Sequence, residues 1–167
     1  LPEGGDLAYA GHQLEGWRIK YTVTDEESGE DKIVSTVFKL GSEFTMPAAD
    51  VTASAEWKAL TKISYIVCDP NLSYADQVTG NVPTGGLYTP GTTITLPLQG
   101  DLKLEGYTFL GWYDVDFDSV WEPGASYTVL SISNELIGTW GKNCVISFTA
   151  GDGTGDGPAA IQAVEGK

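Results

Sequence analysis

The sequence predicts a mainly β protein built from tandem small modules with little helix, and three observations carry that expectation. The 167 residues include 21 Gly, five Trp and eight Tyr but one Met, a composition suited to strands and turns rather than helices. Segments such as KISYIVC alternate apolar residues (Ile63, Tyr65, Val67) at the strand period of two, and no segment holds a convincing 3.6-residue apolar period. The third observation is that the chain repeats itself.

The repeat is clearest when LPEGGDLAYAGHQLEGW (1–17) is set over LPLQGDLKLEGYTFLGW (96–112). At an offset of 95, Leu1, Pro2, Gly5, Asp6, Leu7, Gly11, Gly16 and Trp17 meet Leu96, Pro97, Gly100, Asp101, Leu102, Gly106, Gly111 and Trp112. Further on, Gly41, Phe44, Thr45, Trp57, Ile63, Ser64 and Tyr65 meet Gly124, Tyr127, Thr128, Trp140, Ile146, Ser147 and Phe148 at an offset of 83. The first copy therefore holds 12 extra residues between Trp17 and Gly41. They read as a long hairpin, RIKYTVT and KIVSTVFKL around the acidic turn DEESGED, with Ile19, Tyr21 and Val23 at strand spacing. Residues 1–60 read as the C-terminal part of a first module, 61–142 as a complete second, and 143–167 as the N-terminal part of a third. On this reading the sequence is a segment of a longer array.

Within the complete module the elements follow in order. KISYIVC is a strand, and DPNLSYADQVTGNVPTGG is a run of turn residues. TTITLPL is a strand after the TPG turn, closed by Pro97, which cannot donate to a ladder. GDLKLEG offers one short helical turn, and YTFLGWY, ASYTVLSI and NELIGTW complete the strands. A module of this size buries a modest core, so large aromatics must supply much of it. The expected core is Tyr107, Phe109, Trp112, Tyr127 and Trp140, with Trp17 and Trp57 as counterparts in the first copy. Gly111, directly before Trp112, fits a bulge or a close backbone approach.

Charge narrows the partners. Nine basic against 23 acidic residues give a net charge of −14 and a pI near 4.1, a surface that repels phosphate backbones and anionic lipid. Nucleic acid is excluded as a partner. No apolar run approaches the roughly 20 residues that cross a bilayer, which argues against direct membrane insertion. Cys68 and Cys144 lie in no metal-binding spacing; a disulfide between them stays open, and two unpaired thiols in separate modules is the preferred reading.

Several stretches imitate functional sites. Asp114, Asp116 and Asp118 begin like a calcium loop, but position six is Ser119 and position twelve Ala125, where such a loop needs Gly and Glu. A polar turn with solvated aspartates is the plainer reading, with no metal site expected there or in GDGTGDG. LPEGG resembles a sorting signal but aligns with Leu96-Pro97 inside a module. His12, the single histidine, falls on Tyr107 and reads as a packed aromatic rather than a base. No nucleophile motif, phosphate loop or paired-carboxylate cleft is present, so no enzyme activity, catalytic residue or cofactor is expected. Trp121 finds no aligned counterpart in the first copy. Packing over its own hairpin is the favoured role, and stacking on a sugar or peptide ligand the alternative.

The pattern Gly-Tyr-Thr-Phe-x-Gly-Trp (106–112), followed by Gly124, Tyr127 and the closing Trp140, resembles the Listeria–Bacteroides repeat family, modules of bacterial surface proteins such as internalins. VPTGGLYTPGTTITL and ISFTAGDGTGDGPAA are similar to the strand and turn segments of that family. The resemblance implies β-grasp-like modules in tandem on an extracellular bacterial surface, serving as a stalk, spacer or adhesin segment. The alternative is a recognition module that binds a host or bacterial protein, or a glycan, through the 18–40 hairpin or around Trp121. The first copy departs from the family pattern, since His12 stands where an aromatic is usual and its hairpin is longer. The incomplete modules at both ends also suggest head-to-tail self-association, strand edge to strand edge.

Overall fold

Each copy is organised around a hairpin whose first strand carries the Gly-Trp pair. The structure is a computed structural model describing residues 1–167, and it divides into two compact units, Leu1–Thr61 and Lys62–Lys167. In the first unit β1 (His12–Thr24) pairs antiparallel with β2 (Asp31–Lys39) and β3 (Val51–Ala59) in a sheet of order β2-β1-β3. The expected long hairpin is thus β1–β2. The Asp25 side chain organises its turn by accepting from the backbone N–H groups of Glu27 and Ser28 at 3.0 and 2.8 Å. These donors hold the Asp25 carboxyl below the usual carboxylate range, the Ser28 N–H contributing most.

The second unit begins within β4 (Thr61–Ile66) and continues with a single 3-10 turn (Ala75–Gln77), β5 (Gly86–Tyr88) and β6 (Thr93–Thr95). Then come β7 (Tyr107–Asp114), β8 (Ser119–Trp121), β9 (Ser126–Thr128), β10 (Asn134–Ile146) and β11 (Ile161–Val164). The main sheet runs β5-β4-β10-β7-β8, with β11 on the far end of β10 and a separate β6–β9 pair. β4 and β10 are parallel, Asn134 opposite Ile63 and Ile137 opposite Ile66, whereas β7 is antiparallel to both its neighbours. The protein is mainly β, as expected, and its one helical turn has three residues. TTITLPL and ASYTVLSI shorten to three-residue strands, and Pro97, which lacks an N–H, stops the ladder beyond Leu96. GDLKLEG forms turns and an isolated bridge, and buries Leu102 and Leu104.

The two units repeat one design to the residue. Trp17 faces Phe38 across β1–β2 as Trp112 faces Trp121 across β7–β8. The indole N–H of Trp17 donates to the Pro2 carbonyl at 2.7 Å, and that of Trp112 to Pro97 at 2.8 Å. Both first strands skip a residue against their long partner, between Leu14 and Gly16 and between Phe109 and Gly111, a bulge that re-aims the following side chain. A β-carbon on Gly16 would collide with the Phe38 carbonyl oxygen, and one on Gly111 with that of Trp121. Gly111 also adopts φ 146°, open to glycine at little cost. Leu60 and Asn143 each return a backbone N–H to the equivalent glycine, Gly11 or Gly106, at 2.8 Å. LPEGG is accordingly part of this design: Leu1 donates to the Ser42 carbonyl where Leu96 donates to that of Ala125.

Burial separates the copies. In the second unit Trp112 and Tyr127 are fully buried, and Phe109 and Trp140 nearly so. Tyr107 is half-buried with its ring 4.8 Å from that of Tyr74. Trp17 and Trp57 are only half-buried. The second core includes Ile63 and Tyr65 of β4, and the sheet of the first unit has no strand in that place.

Candidate functional site

The three aspartates of the β7–β8 turn have different fates. Asp116 and Asp118 are exposed, but Asp114, at the end of β7, is fully buried. The expectation that all three are solvated is therefore corrected. Strand alternation explains it, because Asp114 follows the inward-facing Trp112 by two positions. Its Oδ2 accepts the Tyr127 hydroxyl at 2.7 Å, and its Oδ1 accepts Asn134 Nδ2–H at 2.9 Å and the Asp116 backbone N–H at 2.9 Å. Asn134 Nδ2 also donates to the Tyr127 oxygen at 3.0 Å. Every donor of this buried triad has an acceptor, as a buried polar cluster requires. Burial, and then the bond to Asp114, push the Tyr127 hydroxyl pKa far above the ordinary tyrosine value. Asp118 turns away to accept the Tyr113 hydroxyl at 2.8 Å, with φ 47° at the turn. The Asp114 and Asp118 carboxyl groups thus point to different partners rather than to one centre.

The repeat offsets place Ile19, Phe44 and Val51 in the first unit where Asp114, Tyr127 and Asn134 stand in the second. The polar triad has an apolar counterpart, and Ile19 is buried to 1% exposure. The aromatic packing beside it is kept. Phe38 meets Phe44 edge-on at 5.3 Å, and Trp121 meets Tyr127 edge-on at 5.4 Å.

Trp121 consequently does have a counterpart, Phe38, which the spacing of the glycines and tryptophans does not reveal. The indole of Trp121 is half-buried, packing against Phe117 at 5.8 Å as well as Tyr127, over its own hairpin. Its Nε1–H is enclosed and meets no acceptor within the protein.

The long hairpin presents a different surface. Ile33 and Val37 are exposed on one face of β2, opposite Thr22 and Arg18 of β1. At its base Arg18 makes a two-pronged bond to Glu56, 2.8 Å from Nε and 2.7 Å from Nη2. This pairing raises the arginine pKa and holds the Glu56 carboxyl low. Of the remaining candidates, His12 stacks on Tyr9 with ring centroids 3.9 Å apart. Cys68 is buried, Cys144 is exposed, and the two are not bridged.

A hairpin with a bulged Gly-Trp strand, used twice in one chain with a variable tip, defines a tandem β-repeat protein. Residues 71–132, wholly within the second unit, match the family model of the Listeria-Bacteroides repeat domain, so the chain carries one such domain. The match begins after β4 and ends before β10. Repeats of this family are typical of extracellular bacterial surface proteins. No curated protein and no solved structure matches the chain. No helix is long and apolar enough to cross a membrane.

Proposed function

We propose that the chain is a non-catalytic repeat segment of a bacterial cell-surface protein, working outside the cell as a stalk or spacer. The observation that carries this reading is where the two copies agree. Hairpin, bulge, indole bond and turn glycines recur, and these are devices of shape. What varies is the buried triad and the hairpin tip, so the units share no chemical centre. A surface of net charge −14 would keep an array soluble and hold neighbouring copies apart at low salt. The parallel β4–β10 pair at the middle of the sheet supports a β-grasp-like description of the complete unit.

The second reading, recognition of a protein or glycan, draws on the exposed Ile33 and Val37 of the long hairpin. One exchange separates the two. Residues 20–35 are replaced by Val-Asp-Phe-Asp, the loop that joins Asp114 to Ser119, and both forms are screened against glycans and extracellular proteins. The spacer reading expects no ligand for either form. A ligand bound by the full chain and lost on trimming would establish recognition instead.

A further inference from the structure

The long hairpin ends its sheet with a strand that carries few of the usual guards of an exposed edge. β2, DKIVSTVFK, is nine residues long, with no proline, no glycine and no bulge in its register with β1, devices that commonly blunt a free edge. Its charges stand only at its ends, and the stretch IVSTVF (33–38) is uncharged and rich in β-branched residues, a composition suited to further strand pairing. This edge belongs to the module's own design. In the complete unit β8, the counterpart of β2, also ends the sheet, while β4 and β5 lie at the opposite end, beyond β10. β8 has three residues, so a long, smooth edge is peculiar to the inserted hairpin.

Two contacts fix which way the backbone of β2 faces. The Asp25 N–H donates to the Glu30 carbonyl, and the Phe38 carbonyl oxygen points at Gly16 of β1. The even-numbered residues of β2 therefore bond to β1, and Asp31, Ile33, Ser35, Val37 and Lys39 turn their N–H and C=O groups outward. The same five side chains share one face, on which Ile33 is 72% and Val37 40% exposed.

We propose that the outer edge of β2 pairs antiparallel with β2 of a second copy of this chain, about a two-fold axis through Ser35. In that register Ile33 lies opposite Val37 of the second copy, and Asp31 opposite its Lys39, at both ends of the interface. The adjacent registers that still join outward backbone groups set Ile33 opposite Ser35 or Lys39 instead, so apolar surface and charge together select one. The contact is isologous and closes at a dimer, joining two three-stranded sheets into one. Charge opposes association least here: β1 and β2 hold Arg18, Lys20, Lys32 and Lys39, four of the nine basic residues, while Glu26, Glu27 and Glu30 stand apart in the turn. Because each copy carries a charge of −14, added salt strengthens the pairing by screening.

The test is sedimentation of the whole 167-residue chain at moderate salt over a wide concentration range, beside two charge variants. Asp31→Lys sets Lys against Lys at both ends of the interface, and Lys39→Asp sets Asp against Asp; both positions are exposed, so each variant should fold. The wild type should pass from monomer to dimer and stop there. Each variant alone should dimerise at least roughly tenfold more weakly. A 1:1 mixture of the two should recover the dimer, because every end then pairs Lys with Asp. Asp31→Lys also makes the chain less negative, so general repulsion alone would strengthen its association; the proposed register weakens it. Register has a second readout: with Cys144→Ser in place, Ser35→Cys should form an intermolecular disulfide under mild oxidation. Lys32→Cys should not, since its two copies lie roughly 20 Å apart at the rise of a strand. A wild type that stays monomeric throughout, or a mixture that associates no better than the variants alone, would overturn the proposal, as would crosslinking at position 32 in place of 35.

Discussion

Exchanging the buried triad tests how the two units are related. In the second unit Asp114, Tyr127 and Asn134 satisfy one another; in the first, Ile19, Phe44 and Val51 stand at the equivalent positions. Changing Asp114→Ile alone strands a buried hydroxyl and a buried amide, each costing about 1–3 kcal/mol, so a loss of roughly 4 kcal/mol is expected. Asn134→Val and Tyr127→Phe each remove a bond to the Asp114 carboxyl, at about 1.5–3 kcal/mol. If independent, the three would sum to about 7–10 kcal/mol, the whole stability of a typical domain. The triple variant instead installs the apolar set already used by the sister unit. Replacing a buried polar network with fitted apolar groups is commonly neutral or stabilising, so it should fall within about 2 kcal/mol of wild type. Denaturant unfolding followed at the Trp112 indole N–H resonance, which reports on the second unit alone, measures this. The reasoning is refuted if the triple variant is as unstable as the sum of the singles.

Other outcomes follow from the same geometry. Trp112→Ala removes a fully buried indole and its bond to Pro97 and should cost about 3–5 kcal/mol, whereas Trp17→Ala, half-buried, should cost less; thermal unfolding compares them. Gly111→Ala and Gly16→Ala should each cost more than about 1 kcal/mol, because the added carbon meets a carbonyl oxygen of the next strand; unchanged melting would refute the shared bulge. Burial pushes the Tyr65 hydroxyl up to about 12. Since its folded value is raised, the associated stability is intact below the ordinary tyrosine pKa of about 10 and is lost as pH rises from there towards 12, by roughly 2–3 kcal/mol. Tyr65→Phe should remove much of that alkaline loss in a denaturation series across the window.

Much of this architecture was readable from residue spacing. The glycines and tryptophans marked the repeat because each has a fixed job, a turn, a bulge or an indole bond, which few residues can do. The long hairpin was readable for the opposite reason: strand alternation continues through residues where the other copy has nothing. Asp114 was not readable. Its polarity assigned it to the turn, while its alternation with Trp112 pointed inward, and only the placement of Tyr127 and Asn134 decides between them. Phe38 and Trp121 escaped alignment because both are large aromatics of different type, and their equivalence lies in strand register rather than identity. The exposure of Leu7, Tyr9 and Met46 was not readable, because it depends on strand placement rather than on spacing.

The central claim is that the two units are one design, of which only the second has a β4-type strand on its sheet within residues 1–167. Amide hydrogen exchange in dilute solution compares the two edges within one molecule. Those amides of Val51–Ser54 that face away from β1 should exchange at least roughly a hundredfold faster than their equivalents in Asn134–Ile137, which face β4. Equal protection of the two strands at concentrations where the chain is monomeric would contradict the account.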